Sequence, residues 1–198
     1  MEFEQLATMM SQGPASAYGA VLLYFIWQVK NSITHMGSTS NALGMNSMIS
    51  VKNAHNKYCP WMAYAIGELG ETEIPGQTDN PRIVEYHAAT GLSADDDETP
   101  WCASFVSWCL EQAGIKSMRS ARARDYLDFG DILKEPQIGC IVILTRTGGG
   151  HVGFYWGKSA NGKINLLGGN QGNAVTVASY DASRVIGYRW PADVKVSK

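Results

Sequence analysis

Residues 99–115, TPWCASFVSWCLEQAGI, decide how the chain is read. Thr99 suits a helix N-cap and Pro100 a first helical position, so a helix is expected over Pro100–Ala113, closed by Gly114. Phe105, Val106, Cys109 and Leu110 recur at helical spacing and give it an apolar side. Cys102 then falls in the first turn. There the free backbone N–H groups and the positive end of the helix dipole favour a thiolate and can hold an oxyanion.

Outward from this helix the chain changes character. Before it, helices are expected over Pro60–Leu69 and Pro81–Thr90, the second with Asn80 as cap, and Ala121–Leu127 reads as a turn or short helix. After it, Cys140–Thr145, His151–Trp156, Lys163–Leu167, Ala174–Ser179 and Val185–Trp190 read as strands separated by Gly- and Asn-rich turns. Helices followed by a run of short strands make an α+β domain with an antiparallel sheet.

His151 opens the apolar run HVGFYWG directly after Gly148–Gly150, and glycines there let a substrate backbone come close to the imidazole. It is one of four histidines; His35 and His55 lie in a low-complexity region and His87 on a helix. A cysteine at a helix start and a strand histidine supply a nucleophile and its base, with the other ring nitrogen needing a partner to fix the tautomer. Asn170, in LLGGNQ, is the expected partner, the alternative being a turn residue; Gln171 and Asn173 are the substitutes. Trp101, Gly149, Gly150 and Gln171 are the expected substrate-binding residues. Cys59, Cys109 and Cys140 read as buried structural cysteines, with disulfides left open.

The totals bound the rest. The chain has 198 residues, 45% apolar, enough for one domain with an appendage, read as 57–198 after an extension 1–56. A net charge of −2 gives no basic face for nucleic acid. Ala20–Val29 is about half a membrane span, so no stable membrane insertion is expected. The extension holds a helix around Ser16–Ser32 and a linker; it packs on the domain or on a second copy, serves delivery or docking, or touches a membrane. Its start carries Glu2 and Glu4 where a secretory signal would be basic, which points to export by another route. The acidic run Asp95–Glu98 reads as a solvated loop, the alternatives being recognition of a substrate amine or calcium binding without the Asp-x-Asp-x-Asp-Gly pattern.

The stretches ELGETEIPG, NPRIVEYHAATGL, DDETPWCASFVSWCLEQAGI, GGGHVGFYWG, LLGGNQGNAVTV and RVIGYRWP together resemble the CHAP and NlpC-type cysteine peptidases and amidases of bacteria and phages. The resemblance spans about Trp61–Pro191. It implies a papain-like fold, a nucleophile at Cys102, a base at His151, and cleavage of amide bonds in the peptidoglycan stem peptide without metal or cofactor. Where relatives often carry an acid, this chain has Gly168. The setting expected from such a domain is a cell-wall hydrolase made in the cytoplasm and acting in the periplasm. It would be a type VI secretion effector with a cognate immunity protein, or a phage endolysin. A non-catalytic wall-binding module and an acyl transferase are the rivals.

Overall fold

The computed structural model describes residues 59–76, 78–159 and 161–194. The expected helix and linker of the N-terminal extension lie outside the described residues. Among the described residues no helix is long and apolar enough to cross a membrane.

Three helices come first: α1 (Pro60–Gly67), α2 (Pro81–Ala88) and α3 (Cys102–Gln112). The strands follow: β1 (Asp131–Ile132), β2 (Ile141–Arg146), β3 (Gly149–Lys158), β4 (Ile164–Gly168), β5 (Thr176–Tyr180) and β6 (Val185–Trp190). They form one antiparallel sheet in the order β1-β6-β2-β3-β4-β5. This is the expected α+β, papain-like architecture. Strand β1 was not expected; two residues paired with Arg189 and Trp190 carry no periodic signal.

α2 starts as its sequence dictates, with Asn80 accepting from the Arg82 N–H at 2.9 Å and Pro81 at the first position. α3 departs from expectation in two ways. It begins at Cys102 itself, with Trp101 as N-cap and no capping side chain. The Thr99 hydroxyl and N–H are instead held by Asp96, at 3.1 and 2.6 Å. Second, every residue from Cys102 to Leu110 is buried, so the helix is covered on all sides rather than amphipathic. Its two interior hydroxyls are satisfied: Ser104 by His87 Nδ1 at 2.9 Å and Ser107 by the Tyr126 hydroxyl at 2.7 Å.

An aromatic cluster joins the layers. Tyr86 of α2 packs on Trp101, Phe105 and Trp108 at centroid distances of 5.8, 5.4 and 5.2 Å, and Phe105 reaches Phe154 of β3 at 6.4 Å. Glu68 ties α1 to α2 by accepting two bonds from Arg82 (2.7 and 2.8 Å) and one from the Tyr86 hydroxyl (2.7 Å).

Gly169 lets the loop after β4 close on the start of α3. A Cβ there would lie 2.4 Å from Trp101 Cζ3 and 2.7 Å from Phe105 Cβ. Gly169→Ala is therefore expected to cost about 1–3 kcal/mol, since neither ring nor helix can yield in a packed core. A urea titration beside the wild type measures it.

Candidate active site

Cys102 is the first residue of α3 and is 5% exposed. Because α3 starts here, its first N–H groups have no intrahelical acceptor; Phe105 N–H to Trp101 O, at 2.9 Å, is the first helical bond. The Cys102 sulfur faces the backbone N–H groups of Val152, Ala103 and Cys102. Ladder partners for β3 on the β4 side begin at Phe154. Burial pushes the thiol up, and those N–H groups together with the charge of Arg146 oppose the rise. Cys102 therefore sits against the residue that follows His151.

His151, on β3, is 4% exposed. Its Nε2 lies 3.1 Å from Gln171 Oε1 and 3.3 Å from the Tyr180 hydroxyl. The orientation of the Gln171 amide is fixed by its other end. Nε2 of Gln171 donates to the carbonyl oxygens of Leu166, Gly168 and Thr176 at 3.3, 3.2 and 2.6 Å, so Oε1 must be the atom facing the imidazole. The Tyr180 hydroxyl donates to the same Oε1 at 2.9 Å, and its ring packs on the imidazole at 5.4 Å. An acceptor opposite Nε2 requires a proton on Nε2. Nδ1 is then the nitrogen with the free lone pair, available as a base.

The imidazole is depressed to about 4, chiefly by burial, against the opposing hydrogen bond to Gln171 and with lesser help from the charges of Arg146 and Arg184. Its ordinary value is 6.5. Between the two values the unfolded chain binds the extra proton, so stability is full above about pH 6.5 and falls as the pH drops towards 4. The difference between these two values corresponds to about 3 kcal/mol. Urea titrations at pH 7 and pH 4.5 are expected to show a loss that is smaller in His151→Gln.

Three sequence expectations differ from the structure. Asn170 does not meet His151. It takes a left-handed backbone conformation (φ 56°), and its side-chain amide donates to Glu73 Oε1 at 2.7 Å. The bend at Asn170 turns its own side chain away and delivers that of Gln171 to the imidazole; asparagine tolerates this conformation better than most residues. Trp101 is fully buried and donates to the same Glu73 Oε1 at 2.8 Å, so it offers no surface to a substrate. Gln171, 8% exposed, is committed to His151 and three carbonyls rather than to a substrate. Gly149 and Gly150 remain half-exposed before His151, with the Gly149 carbonyl accepting from Arg124 at 3.1 Å.

Glu73, Tyr180, Arg146 and Arg184 were not foreseen. Glu73 clamps the residue before Cys102 to the residue before Gln171, a contact 97 residues apart in sequence for Asn170. Tyr180 reaches the site only through the pairing of β5 with β4. No local motif announces either. Glu73→Leu leaves the Trp101 indole N–H buried without an acceptor and is expected to destabilise by about 1–3 kcal/mol, whereas Glu73→Gln retains an acceptor oxygen. Thermal melts of the two variants separate the cases.

The acidic run is also corrected. Asp97 is fully buried, and its Oδ2 accepts from the Ile74 and Asn80 N–H groups at 2.9 and 2.8 Å, fixing the loop ahead of α2. With Asp79 and Glu98 it forms the group among the described residues whose carboxylate oxygens, within 4.8 Å of one another, are close enough to share a cation. The four cysteines are free thiols and all buried, with Cys59 and Cys140 pushed up to about 12 by burial.

Residues 94–170 match the CHAP domain family. The matched span runs from the loop before α3 to the turn after β4 and contains Cys102 and His151. It supports a peptidoglycan hydrolase of the amidase or peptidase class. No curated protein matches the chain.

Proposed function

We propose that this domain is a cysteine amidase or endopeptidase that cleaves an amide bond of the peptidoglycan stem peptide. The observation that carries the reading is the juxtaposition at the start of α3. The Cys102 sulfur rests on the Val152 N–H, next in sequence to an imidazole whose far nitrogen is held by Gln171 and Tyr180.

The resting pair is a neutral thiol and a neutral imidazole, as the direction of both shifts indicates. His151 Nδ1 takes the Cys102 proton as sulfur attacks the amide carbonyl, and a carbon–sulfur bond forms. The N–H groups of Cys102 and Ala103, which lack intrahelical acceptors at the start of α3, are the donors available to the carbonyl oxygen as it gains charge. The imidazolium then gives its proton to the leaving amine as the carbon–nitrogen bond breaks. Water, deprotonated by the same nitrogen, releases the acyl group. Gln171 is neutral: it fixes the Nε2–H tautomer but offers no charge to stabilise the imidazolium.

Digestion of purified Gram-negative peptidoglycan, with wild type beside Cys102→Ala, tests this by mass spectrometry. Fragments made by the wild type alone support the reading, and their masses name the bond; identical digests reject it for this substrate. Action in the periplasm as an antibacterial effector is the further part of the proposal. Periplasm-directed expression should then lyse cells, with Cys102→Ala harmless and cytoplasmic expression tolerated.

A further inference from the structure

Near the His151 imidazole lies a pair of positive charges that the hydrolytic steps do not use. The β2–β3 register pairs Leu144 with His151 and Arg146 with Gly149. Side chains two residues apart share a face, so Arg146 stands on the same face of the sheet as His151. Its Nε would be 3.9 Å from a Cβ built on Gly149, which sets the side chain along β3 just before the histidine. Arg184, in the turn before β6, donates Nε to the Thr145 carbonyl at 3.1 Å, and its guanidinium carbon lies 5.2 Å from the centre of the Tyr180 ring.

Thr145, Arg146, Thr147 and Arg184 line one open depression. Among the described residues neither arginine has a carboxylate partner within ion-pair distance. Tyr180, whose ring Arg184 overlies, stands 3.3 Å from His151 Nε2, and Arg146 shares the face of His151, so the depression lies next to the imidazole; the charges of both arginines act on His151 and Tyr180. Two unneutralised guanidinium groups also oppose the imidazolium that His151 must become. A bound anion between them would relieve that opposition as the substrate arrives.

We propose that Arg146 and Arg184 form a carboxylate-binding subsite that holds a free carboxylate of the stem peptide next to the amide being cut. The inference rests on the hydrolase reading above and narrows it. A γ-linked D-Glu keeps its α-carboxylate free on the acyl side of its bond to diaminopimelate. The D-Ala–diaminopimelate cross-link has a free carboxylate on the amine side. The N-acetylmuramoyl–L-Ala bond has none on either flanking residue, and the subsite disfavours it. The threonine hydroxyls supply the neutral donors that complete such a site.

The test uses full-length Cys102→Ala protein, so that binding is read without turnover. Titration calorimetry compares the tetrapeptide L-Ala–γ-D-Glu–diaminopimelate–D-Ala with its counterpart in which the carboxylates are carboxamides. The acid is expected to bind about tenfold tighter or more, as charge-assisted bonds do. That preference should fall to about twofold or less when Arg146→Gln and Arg184→Gln are added together, and should survive Arg146→Lys in part. Equal binding of acid and amide, undetectable binding of the acid, or a preference that survives loss of both arginines would overturn the subsite. A carboxylate preference in binding with no digestion by the wild type would reject the hydrolase reading and keep the subsite. Digestion without the preference would do the reverse.

Discussion

Replacing Cys102 or His151 by alanine is expected to lower the single-turnover rate of peptidoglycan cleavage by about 10⁴-fold or more. Each has an assigned role that no other described side chain is placed to fill: Cys102 carries the sulfur at the N–H groups of Val152 and Ala103, and His151 presents Nδ1. Because the two act as a unit, the double variant should be no slower than the slower single variant by more than about threefold. Losses that multiply would mean two independent contributions and would separate the thiol from the imidazole. Both alanine variants should stay folded, since each removes a buried side chain at the end of an element rather than at the centre of the Tyr86–Phe105–Trp108 cluster.

The second large effect belongs to Gln171. Gln171→Ala frees the imidazole to rotate and to exchange tautomers, and kcat should fall about 100-fold with little change in KM. Asn170→Ala, which touches Glu73 and not the histidine, should cost less than about tenfold. Gln171→Glu should not rescue. It would set a carboxylate oxygen against the Leu166, Gly168 and Thr176 carbonyls that now receive an amide N–H₂. A variant series read for kcat and KM separately decides the matter. If Asn170→Ala were the more damaging change, the orienting role would pass to Asn170.

What the sequence could and could not reveal follows from the range of the interactions. The α+β order was legible because helix caps, glycine stops and β-branched runs are local: Asn80 and Pro81 start α2, and Val185–Trp190 is β6 residue for residue. Cys102 and His151 could be picked out as candidate nucleophile and base because each is marked by its immediate neighbours. The start of α3 was misplaced by two residues because Asp96 claims Thr99, a competition between two caps that the spacing alone does not rank. The choice between Asn170 and Gln171 turned on one backbone angle. A left-handed residue in a turn reverses which of two adjacent side chains faces inward, and the spacing alone favours Asn170 with Gln171 as its substitute. Glu73, Tyr180, Arg146 and Arg184 meet the site through strand register and loop packing. Their assembly is a property of the sheet order, which no single stretch encodes. Asp97 was read as solvated because it lies in an acidic run, yet two backbone N–H groups from another loop bury it.

The chemistry turns on the state of the His151 ring, and nitrogen NMR of ¹⁵N-histidine-labelled protein reads it. His151 should be neutral at pH 7, with the proton on Nε2 and Nδ1 bare, and should titrate near 4 as burial and the two arginines dictate. Cys102→Ala should leave that tautomer in place. A proton on Nδ1, or an imidazolium that persists at neutral pH beside an ionised Cys102, would contradict the assignment of Gln171 as its partner and of Nδ1 as the base.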